Sequence, residues 1–413
     1  MKLLVSAAES SADIHGAELV HALKKILPAG EKLQVFGIGG PRLRAEGLEA
    51  AVRTEDLSVM GASEVLHKLP RILKSLRQIS QAAEKRKPDL AIVLDSPDFH
   101  FRLAKKLKKL KIPAVYYIPP KIWVWRKGRI HFLKKHFIQI LSILPFEQDY
   151  YQNQSIPFQF VGNPLVDELP WGLSKDVARS QLGLGAQDRV LVVMPGSRLS
   201  ELDAHFALMI EAAREVAMRL CEQGQLMANE SLKVLVALPS GLDQDRFKAE
   251  LNQLRAQHVQ TSVEFQLSFG DAHRCMIAAD VGLIKSGTST LEAGLLQCPH
   301  VITYRPSAVT GWIFKNLVRH HGPVGLVNWV AGWKLGQSWP VPELLCENAE
   351  PRLLAAEVCA LFVDQGRRHQ MLEALGALRK SMGVSSSGEL PPSPSLRAAQ
   401  EVIRLCRKRG ILC

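Results

Sequence analysis

Short apolar runs alternate along the chain with longer segments in which apolar residues recur every three or four positions. "KLLVSAA" leads into a segment where Ala17, Val20, Leu23 and Leu27 repeat at helical spacing. "LAIVLD", "AVYYI" and "IQILSIL" repeat the strand signal. After "GNPLVDELPWG" the alternation restarts with "RVLVVMPGSR", a helical segment from Glu201 to Cys221, "LKVLVAL" and "VGLIKSGTSTLEAGLL". This predicts stacked β-α units on parallel sheets, with a domain boundary near Asn163 to Trp171. "SSSGELPPSPS" reads as a low-complexity linker and "LRAAQEVIRLCRKR" as a last, isolated helix. The expected domains are 1–165, 166–384 and a linker with C-terminal helix at 385–413. Two Rossmann-like halves facing each other would leave a cleft between the carboxyl ends of both sheets, where ligands of doubly wound folds bind.

Composition agrees with two domains: 413 residues, 47% hydrophobic, suffice for sizeable cores. The net charge of +12 implies an anionic partner: nucleic acid, a nucleotide or an anionic lipid surface. Seven cysteines without a Cys-x-x-Cys pair read as reduced thiols of a cytosolic protein and give no support for zinc. "MKLLVSAAESSAD" is too short and too acidic for a signal peptide. No stretch reaches the ~20 apolar residues of a transmembrane helix, so membrane contact is expected to be peripheral.

Candidate chemistry sits at the predicted strand ends. "LAIVLD" runs into Asp95 and Asp98, the last acids before Phe99–Phe146, a stretch with twelve Lys and Arg and no Asp or Glu. In "VVMPGSRLSE", a strand ends in Gly196, Ser197 and Arg198 before a helix, so backbone N–H groups and a guanidinium converge as for a diphosphate; a plain capped turn carries the same residues. "IKSGTSTLEAG" repeats strand, glycine turn and helix at Ser286, Gly287 and Thr288. There Glu292 either completes a capping box with Ser289 or takes the two hydroxyls of a ribose. In "AAESSADIHG", Ser10 and Asp13 fit a cap arrangement, while Glu9 and Ser11 fit a cleft-facing role. In "PPKIWVWRKGR", Trp123 and Trp125 alternate with basic residues including Arg126, which suits sugars and phosphates or nucleic-acid bases.

Together these motifs resemble lipid-A-disaccharide synthases, glycosyltransferases that join two acylated glucosamine units in making lipopolysaccharide. "FGIGGPRLRAEG", "LSVMGASEVL", "VLDSPDFHFRLAKKLKKL", "LPFEQDYY", "FVGNPLVDE", "TYR" and "LVNWVAG" extend the resemblance to about residue 350. It implies a GT-B fold, with acceptor side N-terminal and UDP held C-terminally. The implied reaction is inverting transfer from UDP-2,3-diacylglucosamine to 2,3-diacylglucosamine 1-phosphate, giving a β(1→6) link. By resemblance Asp95 is the general base, with Glu9 and Ser11 on the catalytic side. Gly196, Ser197, Arg198, Ser286, Gly287, Thr288, Glu292 and Asn328 form the UDP side, and Asp98, Trp123, Trp125 and Arg126 the acceptor side. The implied partners are the two acylated sugars and the anionic inner face of the cytoplasmic membrane, not nucleic acid; a homo-oligomer is compatible with it. The chain departs from the family pattern: Ala8 and Ala12 replace glycines, Asn163 stands where histidine is common, Val327 replaces a proline, Trp333 stands where arginine is common, and 333–342 is longer.

A sugar 6-hydroxyl needs a carboxylate to take its proton, which Asp95 at a strand end can supply. Helix N-termini and Arg198 can receive the charge of the leaving diphosphate, so no metal and no cofactor is required. Asp98, beside Pro97, fits a helix cap or first-turn acid better than a catalytic role. The segment "VMGASEVLHKLPRILKSLRQI" places Val65, Leu69, Ile72, Leu73 and Leu76 at helical spacing with Lys68, Arg71, Lys74 and Arg77, either for a membrane surface or for ordinary packing on the sheet. Two other classes are weighed: a GT-B nucleotide-sugar epimerase or other UDP-sugar transferase, and a nucleic-acid binder that would leave both phosphate-type turns idle.

Overall fold

The computed structural model describes residues 1–57, 65–122, 128–227, 229–256, 262–306, 322–334, 337–385 and 389–412. The chain forms two compact units, Met1–Asp167 with Pro391–Cys413, and Glu168–Leu390.

The first unit runs β1 (Lys2–Ala7), α1 (Ser10–Ile26), β2 (Gln34–Gly39), α2 (Pro41–Ala45), β3 (Glu49–Arg53), α3 (Val65–Arg86), β4 (Leu90–Leu94), α4 (Pro97–Lys109), β5 (Ala114–Tyr117), α5 (Arg129–His136), β6 (Gln139–Ser142), α6 (Glu147–Gln152), β7 (Phe158–Phe160) and α7 (Leu165–Glu168). Its sheet order is β3-β2-β1-β4-β5-β6-β7, with every pairing parallel. Side chains alternate across a strand, so a wholly apolar strand feeds two cores. Leu3, Val5, Leu90 and Ile92 face one core, while Leu4, Ala91 and Val93 join α3, α4 and α5 in the other.

The second unit runs α8 (Lys175–Gln181), β8 (Val190–Met194), α9 (Leu199–Glu222), β9 (Leu232–Leu238), α10 (Gln244–Ala256), β10 (Val263–Phe269), α11 (Ala272–Ala278), β11 (Val281–Lys285), α12 (Thr288–Leu295), β12 (His300–Tyr304), α13 (Leu326–Val330), β13 (Glu343–Leu345), α14 (Pro351–Val363) and α15 (Gln365–Ser381). Its sheet, ordered β10-β9-β8-β11-β12-β13, is also parallel throughout.

The last helix, α16 (Pro394–Lys408), does not stand alone as its sequence suggests. Its apolar face, Ala398, Ala399, Val402 and Cys406, joins the first unit's core beside α1. Gly162, at φ +93°, leaves the space that the Arg397 guanidinium occupies, and that cation lies 5.7 Å from the Phe160 ring centroid.

Among the described residues no helix is long and apolar enough to cross a membrane. Neither Ala8 nor Ala12 has positive φ, so alanine in place of glycine brings no backbone strain at either position. Asp13 makes a longer-range cap than its neighbourhood suggests. Its carboxylate accepts the N–H groups of Gly40 (2.7 Å), Arg42 (2.9 Å) and Leu43 (3.1 Å) at the start of α2. A side chain on Gly40 would collide with that carboxylate.

Candidate functional site

In each sheet the chain reverses direction across the middle, and ligands of such sheets bind at the carboxyl ends of the two strands flanking the reversal. These are β1 and β4 in the first unit, and β8 and β11 in the second.

Ala7 and Leu94 are in register at the ends of β1 and β4, so the two turns that follow are neighbours. Glu9 occupies the N-cap position of α1, but its carboxylate makes no cap bond and instead accepts the Ser96 hydroxyl at 2.8 Å. Ser11, in the first turn of α1, is exposed. Asp95 (φ 51°) and Ser96 (φ 42°) are both left-handed, a conformation costing non-glycine residues about 1–3 kcal/mol each and concentrated at functional sites. Two donors hold the strained turn: Tyr116 Oη–H and the His100 ring, at 2.8 and 2.7 Å from the Asp95 carbonyl. His100 is fully buried, and its Nε2 lies 2.8 Å from Ser6 Oγ.

The Asp95 side chain is half-buried, and its own Oδ1 accepts the Ser96 N–H at 2.8 Å. Burial first, and then the charge of Glu9, raise its pKa; the Ser96 amide and the positive Lys121 act the other way. This is the profile of a carboxylate that gains by taking a proton. Asp98 differs: it is exposed, lies in the first turn of α4 and pairs with Arg129 at 2.7 Å. That geometry fits the first-turn acid. Trp123, Trp125 and Arg126 lie outside the described residues.

In the second unit the two glycine turns sit side by side, since Ile284 and Met194 are in register on β11 and β8. Gly196 (φ 142°) precedes α9, and a side chain there would strike Glu201. The amides of this turn are not all free, as the sequence suggests. Glu201 Oε2 accepts the N–H of Ser197 at 3.0 Å and of Arg198 at 3.4 Å. The other oxygen, Oε1, accepts Lys285 Nζ at 2.8 Å from the end of β11. Burial alone would raise the Glu201 pKa, but Lys285 and the two amides outweigh it and hold it at about 2. The Arg198 side chain is 82% exposed and pairs with Glu201 Oε1 at 3.6 Å.

The second turn, Ser286-Gly287-Thr288, leads into α12, whose N-cap is Gly287. The capping box expected of Ser289 and Glu292 is not formed. Ser289 already lies within the helix, and Glu292 Oε2 instead pairs with His273 Nε2 of α11 at 3.1 Å. The Glu292 carboxylate is half-buried, one turn into α12.

Asn328 does not join this group. It is fully buried in α13, its Nδ2 donates to Val341 O (2.9 Å) and Glu343 Oε1 (2.7 Å), and its Oδ1 accepts the Val341 N–H (2.8 Å). Both ends of the amide hold the 341–343 segment. Asn163 is likewise internal: it is buried, donates to Ile143 O and accepts the Leu165 N–H.

Sequence reasoning passed over His100, Tyr116 and Ser96 around Asp95, and Glu201, Lys285 and His273 around the glycine turns. Glu201 alone left a local signal, standing three residues after the N-cap Arg198 as a capping carboxylate does.

The family model described as lipid-A-disaccharide synthetase matches residues 3–384. The chain is 39% identical over 406 residues to lipid-A-disaccharide synthase of Anaeromyxobacter dehalogenans (strain 2CP-C), covering 98% of both chains. It is 36% identical over 404 residues to that of Myxococcus xanthus (strain DK1622), covering 98% of this chain and 97% of the relative. Among solved structures, MurG of Acinetobacter baumannii is similar with a TM-score of 0.55 at 14% identity, over 98% of this chain and 99% of that one. UDP-GlcNAc 2-epimerase of Neisseria meningitidis, solved bound to UDP-GlcNAc, gives a TM-score of 0.52 at 12% identity, over 99% and 100%. At such identities these structures speak for the fold, which is GT-B.

Proposed function

The chain belongs to the lipid-A-disaccharide synthetase family, and from that premise we propose that it condenses UDP-2,3-diacylglucosamine with 2,3-diacylglucosamine 1-phosphate. The products are the β(1→6)-linked disaccharide 1-phosphate and UDP. Asp95 takes the proton of the acceptor 6-hydroxyl as its oxygen attacks the anomeric carbon, with inversion. Glu9 keeps Asp95 basic by its charge, and Ser11 follows Glu9 in the first turn of α1. Gly196, Ser197, Ser286, Gly287 and Thr288 shape the diphosphate turns, Arg198 meets the leaving phosphate, and Glu292 takes the ribose hydroxyls. The observation that carries this reading is the half-buried Asp95 carboxylate with raised pKa, presented by a strained turn at the β1/β4 reversal.

The lipid partners bring an anionic surface with them, and the layer of α3, α4 and α5 suits it. Arg71, Lys74 and Arg77 of α3 are exposed, with Leu73 50% exposed among them, while Leu76 and Ile79 pack on the sheet. The side chains of Val65, Lys68 and Leu69 lie outside the described residues. Lys105, Lys108, Lys109 and Lys135 rim a concavity of about 670 Å³ floored by Phe132 and His136, whose rings stack at 3.9 Å. Among the described residues none of these four lysines has a carboxylate within 4.0 Å. We infer peripheral docking of this basic face on the inner leaflet of the cytoplasmic membrane.

The test is UDP release from UDP-2,3-diacylglucosamine by purified protein in detergent micelles. Release should require the lipid acceptor. Conversion of the nucleotide sugar without any acceptor would favour an epimerase instead.

A further inference from the structure

Two half-buried charges that the reaction scheme does not use stand at the reversal of the second sheet. Glu201 and Lys285 have side chains 17% and 13% exposed, and they meet at 2.8 Å. Each is anchored to a different glycine turn. Lys285 is the last residue of β11 and directly precedes Ser286-Gly287. Glu201, through its other oxygen, holds the amides of Ser197 and Arg198. The pair therefore ties the turn after β8 to the turn after β11.

The tie extends further. His205, one turn along α9, lies 2.7 Å from the Glu201 carbonyl and accepts the Arg305 N–H at 2.8 Å on its other nitrogen. A backbone N–H only donates, so Nε2 is bare and Nδ1 carries the proton toward Glu201. Burial lowers the His205 pKa, in keeping with that neutral form. Lys285 Nζ also lies 5.4 Å from the centroid of the Tyr304 ring at the end of β12.

We propose that Glu201 and Lys285 are a pair of positioning residues that set the distance between the two diphosphate turns, so that nucleotide affinity depends on their mutual charge. This rests on UDP occupying those turns. A carboxylate beside a diphosphate would be expected to repel it, and in this chain Lys285 cancels that charge while Glu201 holds the turn closed. The simple electrostatic view and the positioning view therefore differ in sign. If Glu201 merely repels phosphate, its neutralisation tightens UDP binding; if it positions, neutralisation weakens it.

The experiment is calorimetric titration of UDP into the full chain and its variants, with thermal unfolding of each. Glu201→Gln keeps an oxygen for the two amides but removes the charge that Lys285 needs. Glu201→Gln and Lys285→Met should each raise the UDP Kd roughly tenfold, as for loss of a charge-assisted contact. The double variant should be no worse than either single one, the signature of a shared interaction, and Lys285→Arg should restore binding to within a few-fold. Tighter UDP binding by Glu201→Gln would overturn the proposal, as would losses that multiply in the double variant. Arg198→Ala and Glu292→Ala serve as references. If they weaken UDP and the pair does not, the positioning inference fails alone; if neither reference weakens UDP, the nucleotide reading fails with it.

Discussion

The His100 ring donates from Nδ1 to the backbone carbonyl of Asp95 across 2.7 Å, and no other proton placement serves that bond, because a carbonyl only accepts. Nε2 is then left to accept the Ser6 hydroxyl at 2.8 Å, so a buried, neutral histidine links β1 to the turn after β4. Tyr116 adds a second donor to the same carbonyl. The direction of the Asp95 carboxylate is therefore set by its backbone, and the backbone by residues that need never touch a substrate.

The acid limb of kcat/KM should lie above the ordinary carboxylate value of 3.8, because burial and the Glu9 charge raise the Asp95 pKa. A general base works when ionised, so turnover climbs as pH rises through that pKa. Glu9→Gln removes one raising cause while leaving an oxygen for Ser96, and should move the limb to lower pH. Loss of nearly all turnover in Glu9→Gln, with the acid limb gone from the pH profile of the residual activity, would assign the proton transfer to Glu9 instead.

Burial depresses the His100 pKa to about 4, below the 6.5 of a free histidine, with the bond to Asp95 opposing the shift. Between those values the unfolded chain binds more protons than the folded one, so stability falls as pH drops from 6.5 toward 4 and is complete above 6.5. The amount is roughly 3 kcal/mol. His300, also fully buried and depressed to about 4, contributes a second such term. His100→Gln should make the fall of Tm across this range shallower. An unchanged slope would mean that His100 does not titrate on unfolding.

Wholly apolar strands were legible in the sequence. Leu90–Leu94 and Val190–Met194, buried at every residue, read as uninterrupted runs, as interior parallel strands do. The edge strands were not: Val263–Phe269 is mostly half-buried, with Glu264 and Gln266 exposed, and Phe158–Phe160 has only three residues. The turns bearing the candidate chemistry were legible because glycine and capping residues mark them locally. Most of their supports were not, because Tyr116, Lys285 and the partners of Asp13 come from other elements of the sheet and its helices; His100, only five residues after Asp95, gave no local sign of its role. The apolar stripe of α16 likewise announced a helix but not its docking on α1, nearly the whole chain earlier.

Arg198→Ala and Glu292→Ala should each weaken UDP roughly ten- to hundredfold, the scale of a charge-assisted contact. His273→Ala separates the two uses of Glu292. If Glu292 serves the ribose, removing its 3.1 Å partner should alter UDP affinity; if it serves only the α11–α12 contact, the thermal midpoint alone should fall.

Sedimentation with liposomes tests the basic face. Binding should require anionic lipid, weaken as salt rises, and fall when Lys105, Lys109 and Lys135 become Glu, since each cation near such a surface contributes about 1 kcal/mol. Changing Arg71, Lys74 and Arg77 to Glu asks the same of α3. Equal binding to neutral vesicles at high salt would point to Leu73 and its neighbours rather than to charge.

The assignment of the reaction and its base meets its most direct test in product analysis. Wild-type protein and Asp95→Asn are incubated with UDP-2,3-diacylglucosamine and 2,3-diacylglucosamine 1-phosphate, and the products are characterised by mass and by NMR of the linkage. The expected product is a tetraacylated disaccharide 1-phosphate, β(1→6)-linked and inverted relative to the donor. Asp95→Asn should form it ~10²- to 10⁴-fold more slowly while binding UDP unchanged. A product of other linkage, or an Asp95→Asn variant within a few-fold of wild type, would contradict the assignment.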